Sequence, residues 1–293
     1  MVKDIVFILF NGYGSSKAWW EYDFGKYDTA NLSKVNFLSQ LKKLGSVYTF
    51  NYPFFDINYY FTPKTKKLTS VQHKLDEKYK PYSKNIHFNI DDLDYKNICT
   101  QVHNNVIKKY GHDKKYVLIG HSYGCHVALL FSKLFKRKVL FNVLIDNPPY
   151  HHELIKENKK ATDKKKKIVD KFIPTNDHLQ KILSKIKNKS SSENVNKEID
   201  KVYALNDYHS GIGRLKYFDS ILPVYTIFFR AYFSKPEIKG KKLWNEWLIA
   251  EKNEVSKNNT NFKYIVCLDA HHFVWYSQEY SDNIINEIKC MLQ

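Results

Sequence analysis

The sequence has few cysteines, and none of them lie close together. Four occur among 293 residues, and no CxxC pair is present. This spacing argues against a zinc ribbon and against a small scaffold held together by disulfides. Cys99, Cys125 and Cys290 fall in helix-like stretches and Cys267 in a strand-like stretch. We expect all four to be buried free thiols of an intracellular protein.

Long hydrophobic runs are also missing. The apolar run near the start, Ile5 to Phe10, is shorter than the roughly 7–15 residues of a secretory signal core. It ends in Asn11-Gly12, which favours a buried strand followed by a turn. No stretch approaches the roughly 20 apolar residues of a membrane helix. We therefore expect a cytoplasmic protein, with association at a membrane surface only weakly supported.

Acidic residues are outnumbered, with 47 Lys and Arg against 30 Asp and Glu and a net charge of +17. One interpretation is a partner that carries phosphates. The other is a compositional bias towards Lys, Asn, Ile, Tyr and Phe, whose codons are mostly A and T. No nucleic-acid motif accompanies the charge, so we favour the bias and expect no nucleic-acid partner. Hydrophobic residues make up 43% of the chain, which is enough for a sizeable core.

Strand-like and helix-like segments alternate along the chain. This alternation predicts an α/β fold, with a mostly parallel central sheet and helices on both faces. The predicted strands are residues 5–10, 47–50, 116–119, 139–145, 223–229 and 264–268. The predicted helices are residues 33–44, a helix opened by Asp91 and Asp92 and closed by Gly111, one that starts directly after Ser122, one around 244–248, and a last one capped by Ser281.

Two segments interrupt the alternation. Residues 54–90 are irregular and unusually aromatic, and residues 150–217 are Lys-rich with helical spacing. A connection of such length usually carries function or some structure of its own. We predict a core formed by residues 1–149 and 218–293, with 150–217 as a helical cap or lid inserted into it.

The strongest motif is Gly120-His121-Ser122-Tyr123-Gly124, which follows a buried strand and precedes a helix. A GxSxG pattern alone is weak, but this context is the one that a nucleophilic serine on a sharp strand-to-helix turn requires. Side chains at the two glycine positions would clash with the strand and the helix. Ser122 is therefore the predicted nucleophile, held strained and exposed at the carboxyl end of the sheet.

With its flanking motifs, the sequence resembles the α/β-hydrolase family over nearly the whole chain outside 54–90 and 150–217. Asn11-Gly12-Tyr13-Gly14, after the first strand, is similar to the family's His-Gly oxyanion loop, with Asn in place of His. The resemblance implies that the backbone N–H groups of Tyr13 and Tyr123 form the oxyanion hole. Loss of one such donor typically costs about 3 kcal/mol of transition-state stabilisation.

The resemblance also implies where the base and the acid lie. The segment 269–273 follows the last strand, where the family places its histidine, and His272 is favoured over His271 as the base. The usual aspartate after the penultimate strand is missing. Asp146, which ends the preceding strand, is favoured as the acid, and Glu237 is the alternative. The acid would hold the imidazole tautomer and stabilise the imidazolium.

These residues predict a serine hydrolase that cleaves a carboxylic ester or thioester through an acyl-enzyme intermediate. The expected partner is a small-molecule acyl substrate. No cofactor and no metal are expected, since His121 and His126 do not have metal-ligand spacing. Two alternatives remain open at this point: a catalytically inactive binding protein that kept the fold, and an acyltransferase or lyase that uses the same triad.

Overall fold

The computed structural model of this chain describes most of the residues of the predicted core. They are residues 4–12, 17–21, 37–52, 94–147, 221–232, 234, 239–270 and 272–293. The predicted insertions at 54–90 and 150–217 lie outside these residues. So do Tyr13, His271 and Glu237, and their predicted roles stay predictions.

Strands and helices alternate through the described chain, as the sequence predicts. The strands are β1 (Ile5–Phe10), β2 (Ser46–Thr49), β3 (Lys115–His121), β4 (Val139–Ile145), β5 (Tyr225–Tyr232) and β6 (Phe262–Leu268). The helices are α1 (Ala18–Glu21), α2 (Phe37–Leu44), α3 (Tyr95–Tyr110), α4 (Tyr123–Leu134), α5 (Lys239–Asn258) and α6 (Gln278–Leu292), with a 3₁₀ turn at Val274–Tyr276.

The described strands form one six-stranded sheet in the order β2-β1-β3-β4-β5-β6, and every neighbouring pair is parallel. Parallel strands need crossover connections, which place helices on the faces of the sheet and bury both. The strands accordingly consist of apolar runs. All six residues of β1 are buried, and so are six of the seven in β4.

Each face of the sheet has its own hydrophobic core, because successive strand residues point to opposite sides. On one face, Ile5, Phe7 and Leu9 of β1 pack with α2, α6 and the 3₁₀ turn. On the other, Val6 and Ile8 pack with α3 and α4. The alternation within a single strand shows that the sheet is sandwiched between two helical layers.

The structure identifies the N-terminal caps of α3 and α6, and the cap of α6 differs from the sequence prediction. The α3 helix is capped by Asp94, whose Oδ1 accepts hydrogen bonds from the N–H groups of Lys96 (2.7 Å) and Asn97 (3.2 Å). Asp91 and Asp92, predicted to open this helix, lie outside the described residues. Ser281 does not cap the last helix: its N–H already donates to the Ser277 carbonyl at 2.8 Å, and Ser277 is the cap.

The four cysteines are free thiols, as expected, but one is not buried. Cys99, Cys125 and Cys267 are buried and Cys290 is exposed. The helical position of Cys290 explains this difference, because α6 turns Ile284, Ile285 and Ile288 towards the core and leaves Cys290 on another face. Among the described helices, none combines the length and the apolar character that a bilayer crossing requires.

Candidate active site

The topology of the sheet places two of the predicted motifs side by side. From β1, the chain moves to β2 on one side and later to β3 on the other, so the strand order reverses between β1 and β3. In open α/β sheets, ligands bind at such a reversal, beyond the carboxyl ends of the strands. The Asn11-Gly12 loop follows β1 there, and Ser122 follows β3.

Ser122 lies on a sharp turn between β3 and α4. Its φ of 50° and ψ of −123° fall outside the regions that L-residues normally occupy. Its N–H still donates to the Ile145 carbonyl of β4 at 3.0 Å, so the sheet holds the turn in place. This is the strained strand-to-helix geometry that exposes a nucleophilic serine above the sheet.

The two motif glycines are required by close backbone contacts. A Cβ atom on Gly124 would lie 2.1 Å from the Phe10 carbonyl oxygen and 2.5 Å from that of Asn11. A Cβ atom on Gly120 would lie 2.7 Å from Cα of Cys125. The start of α4 therefore packs directly against the end of β1 and against β3, which only glycine allows.

Asp146 and His272 are brought together from positions 126 residues apart. The Nδ1 atom of His272 lies 2.6 Å from Oδ2 of Asp146. The other oxygen, Oδ1, accepts a hydrogen bond from the Ala231 N–H at 3.1 Å. The Asp146 side chain is 3% exposed and that of His272 is 42% exposed. The carboxylate is thus buried and fixed, and the imidazole reaches the surface of the site.

Three strands are each followed directly by a non-glycine residue with positive φ. Ser122 (50°), Asp146 (44°) and Asp269 (52°) directly follow β3, β4 and β6. The Asp146 N–H still donates to Phe229 and that of Asp269 to Tyr232, both in β5. Non-glycine residues adopt such φ values rarely and at a cost. All three lie at the carboxyl ends of their strands, which makes this end of the sheet the candidate site.

His121 connects the nucleophile turn with the histidine loop. Its Nε2 atom lies 3.1 Å from the His272 carbonyl oxygen, and the two imidazole rings are 4.6 Å apart. On its other side, a Cβ atom on Gly12 would lie 2.9 Å from Nδ1 of His121 and 3.4 Å from Cβ of Ser122. The Gly12 loop, Ser122 and His272 therefore meet around the His121 ring.

Asn11, directly after β1, makes two side-chain hydrogen bonds to neighbouring elements. It is buried, its Nδ2 donates to the Phe50 carbonyl at 2.8 Å, and its Oδ1 accepts a hydrogen bond from Nε1 of Trp20. Asn11 therefore holds the end of β1 against the end of β2 and against α1.

Aromatic rings line the neighbourhood of His272. The Phe273 ring is stacked on Trp19 (centroids 4.7 Å apart) and on Tyr276 (4.8 Å apart), and its centroid lies 5.6 Å from that of His272. Trp19 and Phe273 are only half-buried. The histidine loop is therefore held by stacked aromatic rings with apolar surface left beside the imidazole.

A buried charged cluster behind Asp146 was not predicted from the sequence. Arg230 in β5 has no exposed side-chain surface, and neither has Glu251 in α5. Arg230 Nη2 lies 3.0 Å from Glu251 Oε2, and Nη1 lies 3.9 Å from Asp146 Oδ1. An arginine within the apolar run of β5 was the signal that could have revealed it, because charged residues are almost never fully buried without a partner.

Four of the five predicted site residues belong to the described part of the chain. Ser122, Tyr123, Asp146 and His272 lie at the carboxyl ends of β3, β4 and β6, with Asp146 bonded to His272. Tyr13 lies outside the described residues. Within the ranges that the structure describes, no cluster of three or more His, Cys, Asp or Glu side chains could hold a metal ion.

Comparison with known proteins gives similarity at the level of structure alone. No family model matches the sequence. No curated protein matches it either. Among solved structures, MenH from S. aureus aligns with 100% of this chain and 96% of its own, at 12% identity and a TM-score of 0.50.

Two other solved structures align with somewhat lower scores. MGS-M2, an alpha/beta hydrolase enzyme from a Medee basin deep-sea metagenome library, aligns at 11% identity with 100% of this chain and 90% of its own, with a TM-score of 0.49. A hydrolase from Oleispira antarctica aligns at 11% identity with 99% of this chain and 92% of its own, with a TM-score of 0.48.

Proposed function

Because this chain has the α/β-hydrolase fold, as predicted, we propose that it is a serine hydrolase that cleaves a carboxylic ester or thioester. Ser122 is the nucleophile, His272 the general base and Asp146 the acid that orients the base. The fold alone does not fix the function. The proposal therefore rests on the geometry at the carboxyl edge of the sheet.

The observation that carries the proposal is the contact between His272 Nδ1 and Asp146 Oδ2 at 2.6 Å. It lies beside a serine turn held at φ 50°. A buried carboxylate that accepts the Nδ1 proton fixes the imidazole tautomer, so that Nε2 is the atom free to take a proton from a nucleophile.

The reaction proceeds in two halves. Ser122 Oγ attacks the acyl carbonyl while His272 takes the hydroxyl proton, and the carbonyl electron pair moves onto oxygen. The C–O or C–S bond then breaks, and the imidazolium gives its proton to the leaving alcohol or thiol. Water attacks the acyl-enzyme in the same way, so that acid is released and Ser122 regains its proton.

The start of α4 supplies the stabilisation of the oxyanion. Tyr123 is the first residue of that helix, and the N–H groups of a first helical turn create a positive electrostatic potential at the helix start. The Tyr123 N–H is proposed as one oxyanion donor and the Tyr13 N–H as the second. The stacked rings of Trp19 and Phe273 supply apolar surface beside His272, which suits an acyl or alcohol group without charge.

Covalent labelling with a fluorophosphonate probe tests this proposal. We expect the wild-type protein to be labelled and Ser122→Ala to lose all labelling, because the probe reacts only with an activated serine. Ser256→Ala is the matched control: Ser256 lies in α5, and its hydroxyl donates to the Lys252 carbonyl at 2.6 Å. Labelling of that control should equal that of the wild type.

A well-folded wild-type protein that stays unlabelled between pH 6 and 9 would overturn the hydrolase proposal and favour a binding role. Labelling that persists in Ser122→Ala would move the nucleophile to another residue. If labelling depends on Ser122, hydrolysis of acyl esters of graded chain length then measures the substrate range.

A further inference from the structure

The unexpected feature of the site is a cation placed between two buried carboxylates. The Arg230 guanidinium lies 3.0 Å from a Glu251 oxygen and 3.9 Å from an Asp146 oxygen. Both distances join fully or nearly fully buried side chains. The guanidinium is therefore paired with Glu251 and only approaches Asp146.

We propose that Glu251 is a positioning residue, which holds the Arg230 guanidinium away from Asp146 so that the Asp146 carboxylate remains available to His272. This inference rests on the proposed function, because Asp146 and His272 are the proposed acid and base. Glu251 itself touches neither the substrate nor the reacting atoms; it acts through Arg230 and Asp146.

Hydrogen bonds fix Glu251 in its place. Oε1 accepts one from Asn147 Nδ2 at 2.9 Å, and Oε2 accepts one from the Tyr264 hydroxyl at 3.0 Å. Asn147 also anchors the guanidinium: Arg230 Nη1 donates to Asn147 Oδ1 at 2.8 Å and to the Asn147 carbonyl. The residue directly after the proposed acid thus links both members of the ion pair.

The neighbouring groups leave this cluster with one uncompensated negative charge. Asp146 and Glu251 contribute two negative charges and Arg230 contributes one positive charge. Burial and the Glu251 carboxylate raise the pKa of the Tyr264 hydroxyl, which therefore stays neutral. Burial likewise raises the pKa of the nearby thiols of Cys125, well above its usual value, and of Cys267, to about 12.

The imidazole ring of His121 is also close, 4.6 Å from the His272 ring. Its Nε2 lies 3.1 Å from the carbonyl oxygen of His272. Asp146 is the carboxylate of the cluster that contacts His272, so the uncompensated negative charge acts on the imidazole through this contact. When His272 becomes an imidazolium, the buried cluster becomes neutral as a whole.

The isosteric change Glu251→Gln shows what Glu251 contributes. It removes one negative charge and leaves the Arg230 cation without its partner. Asp146 is then the nearest carboxylate among the described residues, so the guanidinium closes onto it. An acid already paired with arginine stabilises the imidazolium less, so the proton is held less tightly and the transition state is disfavoured.

The test compares Glu251→Gln with the double variant Arg230→Met/Glu251→Gln and with the control Glu254→Gln, which lies one turn further along α5. We expect Glu251→Gln to react with the fluorophosphonate about tenfold more slowly at its pH plateau, in line with the effect of a charge beside a carboxylate. The acidic limb of its pH–rate profile should move to lower pH. The double variant should recover to within about threefold of the wild type, because no unpaired cation remains.

Recovery in the double variant would show that the unpaired guanidinium causes the defect, and the accompanying shift of the pH–rate profile distinguishes an effect on the base from a general loss of packing. A second readout is independent of catalysis: the downfield NMR resonance of the proton between His272 Nδ1 and Asp146. It should move upfield in Glu251→Gln and return in the double variant. If the wild type is not labelled but the resonance behaves in this way, the proposed function fails and the positioning role stands.

Two results would overturn the positioning role. One is a folded Glu251→Gln variant whose labelling rate, pH profile and proton resonance all match those of Glu254→Gln. The other is a double variant no better than Glu251→Gln in both readouts. Thermal unfolding of each variant confirms that the compared proteins are folded.

Discussion

At the residue scale, the two oxygens of Asp146 have separate tasks. Oδ1 accepts the Ala231 N–H at 3.1 Å and Oδ2 faces His272 Nδ1 at 2.6 Å. The first contact fixes the rotation of the carboxylate, so the second has a defined direction. The positive φ of Asp146 turns this side chain out of the sheet while its N–H stays within it.

Asp146→Asn should therefore abolish most of the reactivity without unfolding the protein. The amide can still accept from Ala231, but its NH₂ group faces His272 Nδ1 and imposes the wrong tautomer. If Asp146 is the acid, we expect labelling to slow by up to about 10⁴-fold, as removal of the acid's charge does in serine proteases. The measurement is the fluorophosphonate labelling rate, with folding checked by circular dichroism.

Asp269→Asn is the matched control. Asp269 also follows a strand with positive φ, but its carboxylate accepts hydrogen bonds from the N–H and the hydroxyl of Ser234. Its labelling rate should stay within a few-fold of that of the wild type. Equal losses in the two variants would count against Asp146 as the acid.

The sequence predicts the position of a single residue well when all the residues that determine its geometry are adjacent in the chain. The turn at Ser122 follows from a buried strand, two glycines and a helix, which are all adjacent in sequence. The Arg230–Glu251 pair joins residues from separate elements, and no local pattern connects them. Its geometry depends on how α5 packs against β5, which a single sequence does not state.

At the element scale, the junction between β3 and α4 determines how close the helix comes to the sheet. Gly124 faces the carbonyl oxygens of Phe10 and Asn11, and a Cβ atom there would meet them at 2.1 and 2.5 Å. The helix start would have to move away from β1. Ser122 precedes that helix and would move with it.

Gly124→Ala is expected to lower the free energy of unfolding by about 3 kcal/mol, the upper end of typical overpacking costs. Labelling of the folded fraction should also slow, because the strained turn is displaced. Urea unfolding and the labelling rate are the two measurements. Wild-type values of both would show that the junction tolerates a side chain.

Gly111→Ala serves as its control at the opposite end of β3. Gly111 has a φ of 93° and open space where a Cβ atom would lie. The substitution should cost about 1–3 kcal/mol of backbone strain. Labelling of the folded protein should not change, since the variant lies away from the site.

The sequence predicts some strand boundaries correctly but places the start of the last helix wrongly. The predicted bounds of β1 and β4 match the structure, because each strand is an apolar run between polar residues. The start of α6 was misplaced, because Ser281 has the residue type of a cap but lies one turn inside the helix. Residue type alone cannot distinguish a cap from a buried position one turn later.

At the scale of the whole molecule, buried thiols and phenols make the fold sensitive to alkaline conditions. Burial raises the pKa of Cys267 to about 12 from an ordinary value of 9.0, and it raises those of Cys125, Cys99 and Tyr52 as well. A group whose pKa is higher in the folded state favours folding fully below its unfolded pKa. That contribution is lost as the pH rises towards the folded value.

The free energy of unfolding should therefore fall steadily above about pH 9. Each such thiol contributes a slope of up to about 1.4 kcal/mol per pH unit between its unfolded and folded pKa. Urea unfolding at pH 8, 9.5 and 10.5 measures the slope. Cys267→Ala should reduce it and Cys290→Ala, at an exposed position, should not; identical slopes in both would contradict the assignment.

The overall architecture was the most predictable level. Strand and helix alternation along the chain predicts a parallel sheet with two helical layers, and the structure shows six parallel strands with a core on each face. The +17 charge has no comparable consequence for the fold. Charge affects association and solubility, whereas the burial of apolar runs determines the layers.

Asp146 and His272 are far apart along the chain, so ribosomal synthesis produces the parts of the candidate site at different times. The turn at Ser122 is held by Ile145, so both of its parts leave the ribosome within a short interval. His272 follows Asp146 by 126 residues, which corresponds to roughly ten seconds of synthesis at typical rates. Under the proposed function, a nascent chain that has reached only Asp146 lacks His272, the proposed base, and is not expected to react with an acyl substrate. The proposed reactivity would begin only after β6 has paired with β5 and brought the residue that follows it, His272, to the site, so a chain stalled earlier is expected to leave acyl esters intact.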